Sequence, residues 1–311
     1  MKKVLIFGVA GFVGQYLIQE FANADTEYAV YGSDMVQEYS NAALTQYISS
    51  NLLEEESVYN MIHEVQPDYI INLAALSSVA MSWDKPKATM EINVIGSLHI
   101  LDAAIQLDKK PAVLLIGSSE EYEISDKPLN EQHPLSANNP YGISKVALEQ
   151  MADLYRKKYQ CQIYFTRSFN HTGVGQKDNF VIPSFCKQIA AIEKQKKAGV
   201  MKVGNLEASR DISDVRDVVR AYRMILESGS KEKVFNVGSG TTFTMKELLE
   251  YMITLCQYPV TVEQDPARLR PSDNPYICCD NQLLQKETGW KPEHTIKETI
   301  AQMYQHYLQE N

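Results

Sequence analysis

Tyr141 and Lys145 stand four positions apart in the run Pro140-Tyr141-Gly142-Ile143-Ser144-Lys145, and of the 18 tyrosines only Tyr141 has a lysine at that spacing. On a helix, residues four apart share one face, a turn from each other. There the ammonium can lower the phenol's pKa and make it a proton donor or acceptor near neutrality. In isolation the pair reads equally as a surface pair on an amphipathic helix, because about one such spacing is expected by chance. Its setting is what singles it out. A glycine-rich turn opens the chain at Gly8, Gly11 and Gly14, and the run Ser118-Ser119-Glu120 ends an apolar stretch of strand type.

Val4-Leu5-Ile6-Phe7 followed by Gly8-Val9-Ala10-Gly11-Phe12-Val13-Gly14 reads as strand, tight turn and helix start. Glycines there permit the turn and let backbone approach a pyrophosphate, which the helix N-terminus then binds through its amides and dipole. The spacing is GxxGxxG rather than GxGxxG, and Phe12 and Val13 lie within it as further cofactor contacts. Tyr31-Gly32-Ser33-Asp34 closes the second strand. A carboxylate at that point accepts hydrogen bonds from both ribose hydroxyls and repels a 2'-phosphate, so Asp34 favours NAD(H) over NADP(H); the plainer reading is a solvated turn residue. Leu73, Ala74 and Ala75, after Asn72, would wall the cofactor near its pyrophosphate and ribose. Asn93 is a polar residue on an otherwise apolar helix face, either a helix–helix hydrogen bond or part of a proton path.

These residues need a frame that brings strand ends together. The pattern predicts strands at 4–7, 28–31, 47–49, 69–73, 112–116 and 162–166, with helices at 12–23, 54–65, 87–107 and 141–159. The strands are continuous apolar runs, as expected when helices cover both faces of a parallel sheet. That alternation implies an α/β fold with a doubly wound parallel sheet of Rossmann type and a ligand at the carboxyl ends of its strands. Beyond Ser168 the pattern turns irregular. Helices are expected at 182–196, 215–227, 245–256, 281–288 and 296–309, strands at 201–203 and 234–237, and a loop over Asp265–Pro275. We therefore expect a dinucleotide-binding unit over residues 1–168, with returning segments near 212–237, and a smaller α/β substrate-binding unit over 169–311.

At 311 residues with 44% apolar and 22% charged composition, the chain is of ordinary globular type. Its net charge of -9 argues against a broad DNA- or RNA-binding surface. No apolar run reaches membrane-span length and no signal-peptide pattern opens the chain, so a cytoplasmic location is expected. The five cysteines include no CxxC pair; Cys278-Cys279 lacks a histidine at ligand spacing and reads as packing, and no metal is expected.

Taken together, the motifs resemble the extended short-chain dehydrogenase/reductase family. Within it they are most similar to the GDP-6-deoxy-4-keto-D-mannose reductases and the GDP-mannose 4,6-dehydratases. The likeness is carried by Gly117-Ser118-Ser119-Glu120-Glu121-Tyr122, Arg167-Ser168-Phe169-Asn170-His171-Thr172-Gly173, Val203-Gly204-Asn205-Leu206-Glu207 and Arg210-Asp211-Ile212-Ser213-Asp214. Asn236-Val237-Gly238-Ser239-Gly240, Leu269-Arg270-Pro271-Ser272-Asp273 and Thr288-Gly289-Trp290-Lys291-Pro292 complete it. The resemblance implies Tyr141 as proton donor and Lys145 as the residue that holds the nicotinamide ribose. It implies Ser118 or Ser119 on the reacting sugar oxygen, and Asn170 and Val181 on the sugar nucleotide. Arg210 and Arg270 would grip the diphosphate; each reads otherwise as a structural ion pair. His171 reads as packed rather than catalytic. Three departures stand out: Tyr122-Glu123 replaces Tyr-Gly, Asn51-Leu52 stands where an aspartate often meets the adenine, and Asp34 sits where an NADPH-preferring member is more basic. Leu52 is kept among the cofactor contacts.

The activity this implies is reduction of a nucleotide-linked 4-keto-6-deoxy sugar, GDP-4-keto-6-deoxy-D-mannose to GDP-D-rhamnose or its epimer. The alternatives are a 4,6-dehydratase, with Glu120 as the base beside the ketone, and a 4-epimerase. A binding module without turnover would not need the Tyr141–Lys145 pair. The resemblance also implies a homodimer through a four-helix bundle of the helices near Lys87–Leu107 and Tyr141–Tyr159.

Overall fold

A computed structural model of the chain describes residues 1–268 and 274–310. Strand and helix alternate from the start: β1 (Lys2–Phe7), α1 (Phe12–Ala22), β2 (Tyr28–Asp34), β3 (Gln46–Ser49), α2 (Glu55–Val65), β4 (Tyr69–Asn72), α3 (Val79–Asp84), α4 (Pro86–Met90), α5 (Gly96–Ile105), β5 (Ala112–Ile116), α6 (Pro140–Tyr159) and β6 (Ile163–Ser168). The chain continues through β7 (Asn170–Thr172), α7 (Val181–Gln195), β8 (Gly199–Val203), β9 (Ser209–Asp214), α8 (Val215–Ser228), β10 (Val234–Val237) and β11 (Thr242–Thr244). It ends with α9 (Met245–Thr254), β12 (Val260–Gln264), β13 (Tyr276–Ile277), α10 (Gln282–Thr288) and α11 (Ile296–Gln309).

Seven strands form one parallel sheet in the order β10-β6-β5-β4-β1-β2-β3. Period-two alternation divides each strand between two cores. Val4 and Ile6 of β1, Ile71 of β4 and Leu114 of β5 pack with α1 and α8, whereas Leu5, Phe7, Ile70 and Leu115 pack with α2, α5 and α6. Both faces are thus covered, which is why the strands read as unbroken apolar runs. The strand order reverses between β1 and β4, and such a reversal opens a crevice at the carboxyl ends.

A third core joins α7, α9 and α11 to β8, with Ile189, Leu248 and Ile300 wholly buried. Here β8 pairs with β12, and β9 pairs with β7, β11 and β13. The chain does not stay there. α8 packs on α1, and β10 adds to the edge of the large sheet beside β6. The buried Trp290 donates its indole N–H to the Asp217 carbonyl at 2.9 Å, pinning the connection after α10 to α8.

The structure departs from the sequence reading in several places, and α3 (Val79–Asp84) is one helix that was not expected. The helix expected over 87–107 is broken by a π-helical turn, Glu91–Ile95, between α4 and α5. β7, β9, β11, β12 and β13 were not foreseen, being two to six residues long and without clean alternation. Of the loop expected over 265–275, the described part contains a 3₁₀ turn, Pro266–Arg268, and residues 269–273 lie outside the described residues. Cys279 packs in a small cluster with Tyr122, Leu129, Phe169 and Ile277. Among the described residues no helix is long and apolar enough to cross a membrane, and no group of three or more His, Cys, Asp and Glu could hold a metal ion.

Candidate active site

The site is built around the head of α6. Asn139 caps it in extended backbone, its side-chain oxygen accepting the Gly142 N–H at 2.8 Å, and Pro140 takes the first helical position. The Tyr141 N–H donates to Ser82 Oγ on α3 at 3.2 Å, a second tether on the same turn. Tyr141, Ser144, Lys145, Leu148 and Glu149 then form the buried face of the helix, so the expected shared face of Tyr141 and Lys145 is present.

What the pair does to its own titration differs from the expectation. The phenol's pKa is pushed up, chiefly by burial; the nearby Ser118 side chain is the main opposing influence, and the negative charge of Glu121 and Glu120 adds to the rise. The Lys145 amine lies 5.7 Å from the centre of the Tyr141 ring and donates to the Ile116 carbonyl at 2.7 Å. Burial pulls its own pKa down to about 8, partly offset by Glu121. Desolvation outweighs the expected lowering of the phenol, because both groups are shut away from water.

Ser118 follows β5 after Gly117, and its hydroxyl accepts the Glu120 N–H at 3.2 Å. Ser119 and Glu120 turn toward an adjoining cleft, which Tyr122, Asn139, Asn170 and Arg210 also line. Glu120 is held there by an Asn139 amide donating to Oε2 at 2.9 Å. One asparagine therefore fixes both the helix that carries Tyr141 and the carboxylate across from it. Asn139 escaped the sequence reading, although asparagine directly before a proline that opens a helix is a capping signature. Tyr122 was singled out only as part of a motif. It donates to Asn236 Oδ1 at 2.6 Å and receives an Arg167 N–H at 3.0 Å.

Arg210 stands half-buried on β9, with Nη1 donating to the Ser209 carbonyl at 2.9 Å. Asn170 is exposed at the start of β7. Val181, at the head of α7, is not among the residues lining that cleft, and Arg270 lies outside the described residues. His171 sets Nδ1 at 3.0 Å from the Phe169 carbonyl and stacks on Phe12, ring centres 6.5 Å apart. Burial lowers its pKa, in keeping with a packed neutral ring.

On the cofactor side, Gly8 has φ +78°, and a β-carbon there would lie 2.6 Å from the Ala74 nitrogen. Only glycine lets the turn after β1 touch the turn after β4. Leu73 donates its N–H to the Phe7 carbonyl at 2.9 Å, and Ala74 donates to Asn72 Oδ1 at 3.0 Å, so Leu73, Ala74 and Ala75 follow a fixed path beside Gly8. Gly11 precedes α1, and Phe12, Val13 and Gly14 form its first turn. Asp34 does more than the sequence reading asked: Oδ2 accepts the Ala10 N–H at 3.1 Å and Oδ1 the Met35 N–H at 2.7 Å. It braces the glycine turn. Leu52 turns its side chain into the core against Gly96, and its carbonyl lies 2.9 Å from His99 Nδ1. Asn93, on the π turn, donates to Ser144 Oγ at 2.9 Å and exchanges bonds with the Leu76 backbone. The helix–helix bond, one of its two readings, is present.

A family model described as GDP-mannose 4,6 dehydratase matches residues 5–303. The chain is 32% identical over 302 residues to GDP-6-deoxy-D-mannose reductase of Pseudomonas aeruginosa, covering 96% of this chain and 95% of that protein. It is 26% identical to a GDP-mannose 4,6-dehydratase of Vibrio cholerae, covering 97% and 92%. Among solved structures, RMD from Pseudomonas aeruginosa complexed with NADPH superposes with a TM-score of 0.87 at 30% identity, covering 99% of both chains.

Proposed function

Because the chain belongs to the GDP-mannose 4,6-dehydratase family of extended short-chain dehydrogenases/reductases, we propose that it reduces GDP-4-keto-6-deoxy-D-mannose to GDP-D-rhamnose or its epimer. The observation that carries the reading is that Tyr141 and Lys145 share the buried face at the head of α6, the amine 5.7 Å from the ring centre, beside a cleft that holds Asn170 and Arg210. A bound reduced nicotinamide supplies the hydride. Tyr141 gives its proton to the sugar carbonyl oxygen, and the Ser118 hydroxyl donates a hydrogen bond to the same oxygen as charge develops. A buried phenol kept protonated is the state a reduction requires of its proton donor. Arg210, with Arg270, grips the diphosphate, while Asn170 and Val181 meet the sugar nucleotide; this orients the ketone.

Gly8, Gly11, Phe12, Val13 and Gly14 would hold the dinucleotide pyrophosphate at the start of α1, with Leu52, Leu73, Ala74 and Ala75 along its flank and Lys145 at the nicotinamide ribose. The close approach at Gly8, which a β-carbon would block, fits such a group. NAD(H) is preferred over NADP(H) in this reading: Asp34 is acidic, and no lysine or arginine occurs between Lys3 and Lys85 to pair a 2'-phosphate. The dinucleotide-binding unit is residues 1–168 with the returning stretch near 212–237, and 169–311 mainly serves the sugar nucleotide. A homodimer is supported by exposed Ile95 (45%) on the π turn and Ile143 (51%) and Leu154 (58%) on α6.

One observation favours a second reading, 4,6-dehydration: the Glu120 carboxylate lines the cleft, where it could take a proton beside a ketone. The cofactor balance separates the two. Purified protein given GDP-4-keto-6-deoxymannose should oxidise NADH stoichiometrically, and NADPH less efficiently. A dehydratase would instead convert GDP-mannose with no added reductant. Failure to turn over any 4-keto sugar nucleotide overturns the reduction.

A further inference from the structure

Asn139, the cap of α6, is only 2% exposed and engages three partners at once. Its Oδ1 accepts the Gly142 N–H at 2.8 Å, while Nδ2 donates to Glu120 Oε2 at 2.9 Å and to Asn138 Oδ1 at 3.1 Å. A backbone N–H must meet an oxygen and a carboxylate must meet an N–H, so the amide fits only one way round. A helix cap needs nothing but the oxygen, and serine, threonine or aspartate would supply it about as well. Asparagine alone among them holds an acceptor and two N–H donors on one rigid plane. Capping therefore does not by itself explain this side chain.

What the amide holds is a carboxylate on the cleft wall, which Glu120 shares with Ser119, Asn138, Asn139, Asn170 and Arg210. Among the described residues the other Glu120 oxygen, Oε1, takes no hydrogen bond. The neighbouring Glu121 is placed in the opposite way: it is 0% exposed, and its Oε1 accepts the Ser118 N–H at 2.7 Å. One carboxylate is built into the turn, and the other stands at the cleft with one oxygen tethered and one open. The tether has little slack. The first turn of α6 lies directly on the Glu120 backbone, so that a β-carbon on Gly142 would stand 2.4 Å from the Glu120 carbonyl oxygen. Tyr141, one residue before Gly142, rides on the same turn, its own N–H held by Ser82 Oγ. The Glu120 carboxylate and the Tyr141 phenol are thus mounted on one unit, with Asn139 as the joint between them. A carboxylate fixed by one oxygen and open at the other is an acceptor already oriented for a hydroxyl, and orientation made in advance raises affinity by cutting the cost of ordering.

We propose that Asn139 is a positioning residue: its amide holds Glu120 by Oε2 and turns Oε1 to a hydroxyl of the bound sugar, registering the sugar ring against Tyr141. This rests on the reading of the cleft as the sugar-nucleotide site. The ligand it selects is a hexose with a free hydroxyl within reach of Glu120, and the base and diphosphate feel nothing of it.

The test uses the full chain without added cofactor and two ligands that differ by the sugar, GDP-mannose and GDP, each titrated by calorimetry. Asn139→Ser keeps a capping oxygen and removes the amide. It should bind GDP-mannose roughly tenfold more weakly, the lower end for a hydrogen bond to a charged group. GDP affinity, NADH affinity and the unfolding midpoint should stay near wild type. Asn139→Asp, also a good cap, sets a second carboxylate against Glu120 and should lose more GDP-mannose affinity still, most of all at low salt. Glu120→Ala should lose at least as much as Asn139→Ser. Adding Asn139→Ser to it should change affinity less than twofold, because the amide then has no carboxylate to hold. Equal losses for GDP-mannose and GDP, or no loss for either, overturn the proposal. So do losses that multiply in the double variant. Glu120→Ala leaves the cap untouched, and unaltered GDP-mannose affinity in that variant overturns the proposal as well. A wild type that binds neither ligand overturns both this and the sugar-nucleotide reading. A wild type that binds GDP-mannose yet reduces no keto sugar counts against the reduction and leaves this test standing.

Discussion

The two sides of the cleft are made differently. On the side of the large sheet, Ser118, Tyr141 and Lys145 rest on buried backbone that is capped twice, by Asn139 and by Glu121, and backed by the Arg167–Glu149 pair. On the other side, Asn170 stands on the three-residue β7 and Arg210 on β9, which is flanked by β7, the three-residue β11 and the two-residue β13. The contrast fits what each side would do in the proposed reduction. Proton transfer demands fixed distances between heavy atoms, whereas gripping a diphosphate tolerates a longer, adjustable arginine. Buried polar groups accumulate where position matters most, and stability is given up there.

The contrast breaks most directly at Tyr141. Tyr141→Phe should lower kcat by roughly 10²- to 10⁴-fold while leaving the unfolding midpoint and NADH affinity near wild type; a variant that keeps its turnover removes the phenol from the chemistry. Arg167→Met tests whether the catalytic side is held by its buried ion pair. Leaving Glu149 unpaired should cost about 3–5 kcal/mol in urea unfolding, far more than any single change at Asn170. A loss under about 1 kcal/mol would place the support elsewhere.

Lys145 sharpens the comparison through pH. Its folded-state pKa of about 8 lies below the ordinary 10.5. Below about pH 8 the lysine is charged whether folded or not, and its burial penalty is fully present. Between the two values the unfolded chain binds the extra proton, so this group makes stability rise with pH. Lys145→Met should therefore stabilise the fold at neutral pH by about 3 kcal/mol, flatten that rise, and abolish activity. A less stable variant at pH 7 would show that the lysine is no burden there. The smallest effect belongs to the other side: Arg210→Ala should raise KM for the sugar nucleotide roughly tenfold, the lower end for a charged hydrogen bond, with kcat little altered. An equal fall in kcat would put Arg210 among the groups acting on the transition state.

Much of this molecule could be read from its residues because the large sheet repeats one simple rule. Buried strands such as Val4–Phe7 and Ala112–Ile116 are continuous apolar runs, and Gly8 and the Tyr141–Lys145 spacing are local signals. Strands such as Thr242–Thr244 were not legible, since three half-buried residues carry no period. The site was legible where a residue's type names its chemistry. It was not where the role depends on a distant partner. Nothing in the string Glu120-Glu121 says that the first carboxylate faces the cleft while the second is sealed behind it, nor that Asp34 reaches back to Ala10. The direction of the tyrosine's titration was misread for the same reason: spacing reveals the neighbouring ammonium but not the absence of water.

The π turn at Glu91–Ile95 carries a consequence for how the length of this chain can vary. Such a turn holds one residue more than a regular one, and Asn93 within it reaches both Leu76 and Ser144. Excising any one residue of the five would produce a smoother helix with better local geometry. It would also swing the amide off its two partners and rotate every later side chain of α5 relative to α4. A deletion that looks harmless, or even favourable, to helix propensity should therefore unseat the strut behind Tyr141, which makes this irregularity a phase-setting element rather than a blemish.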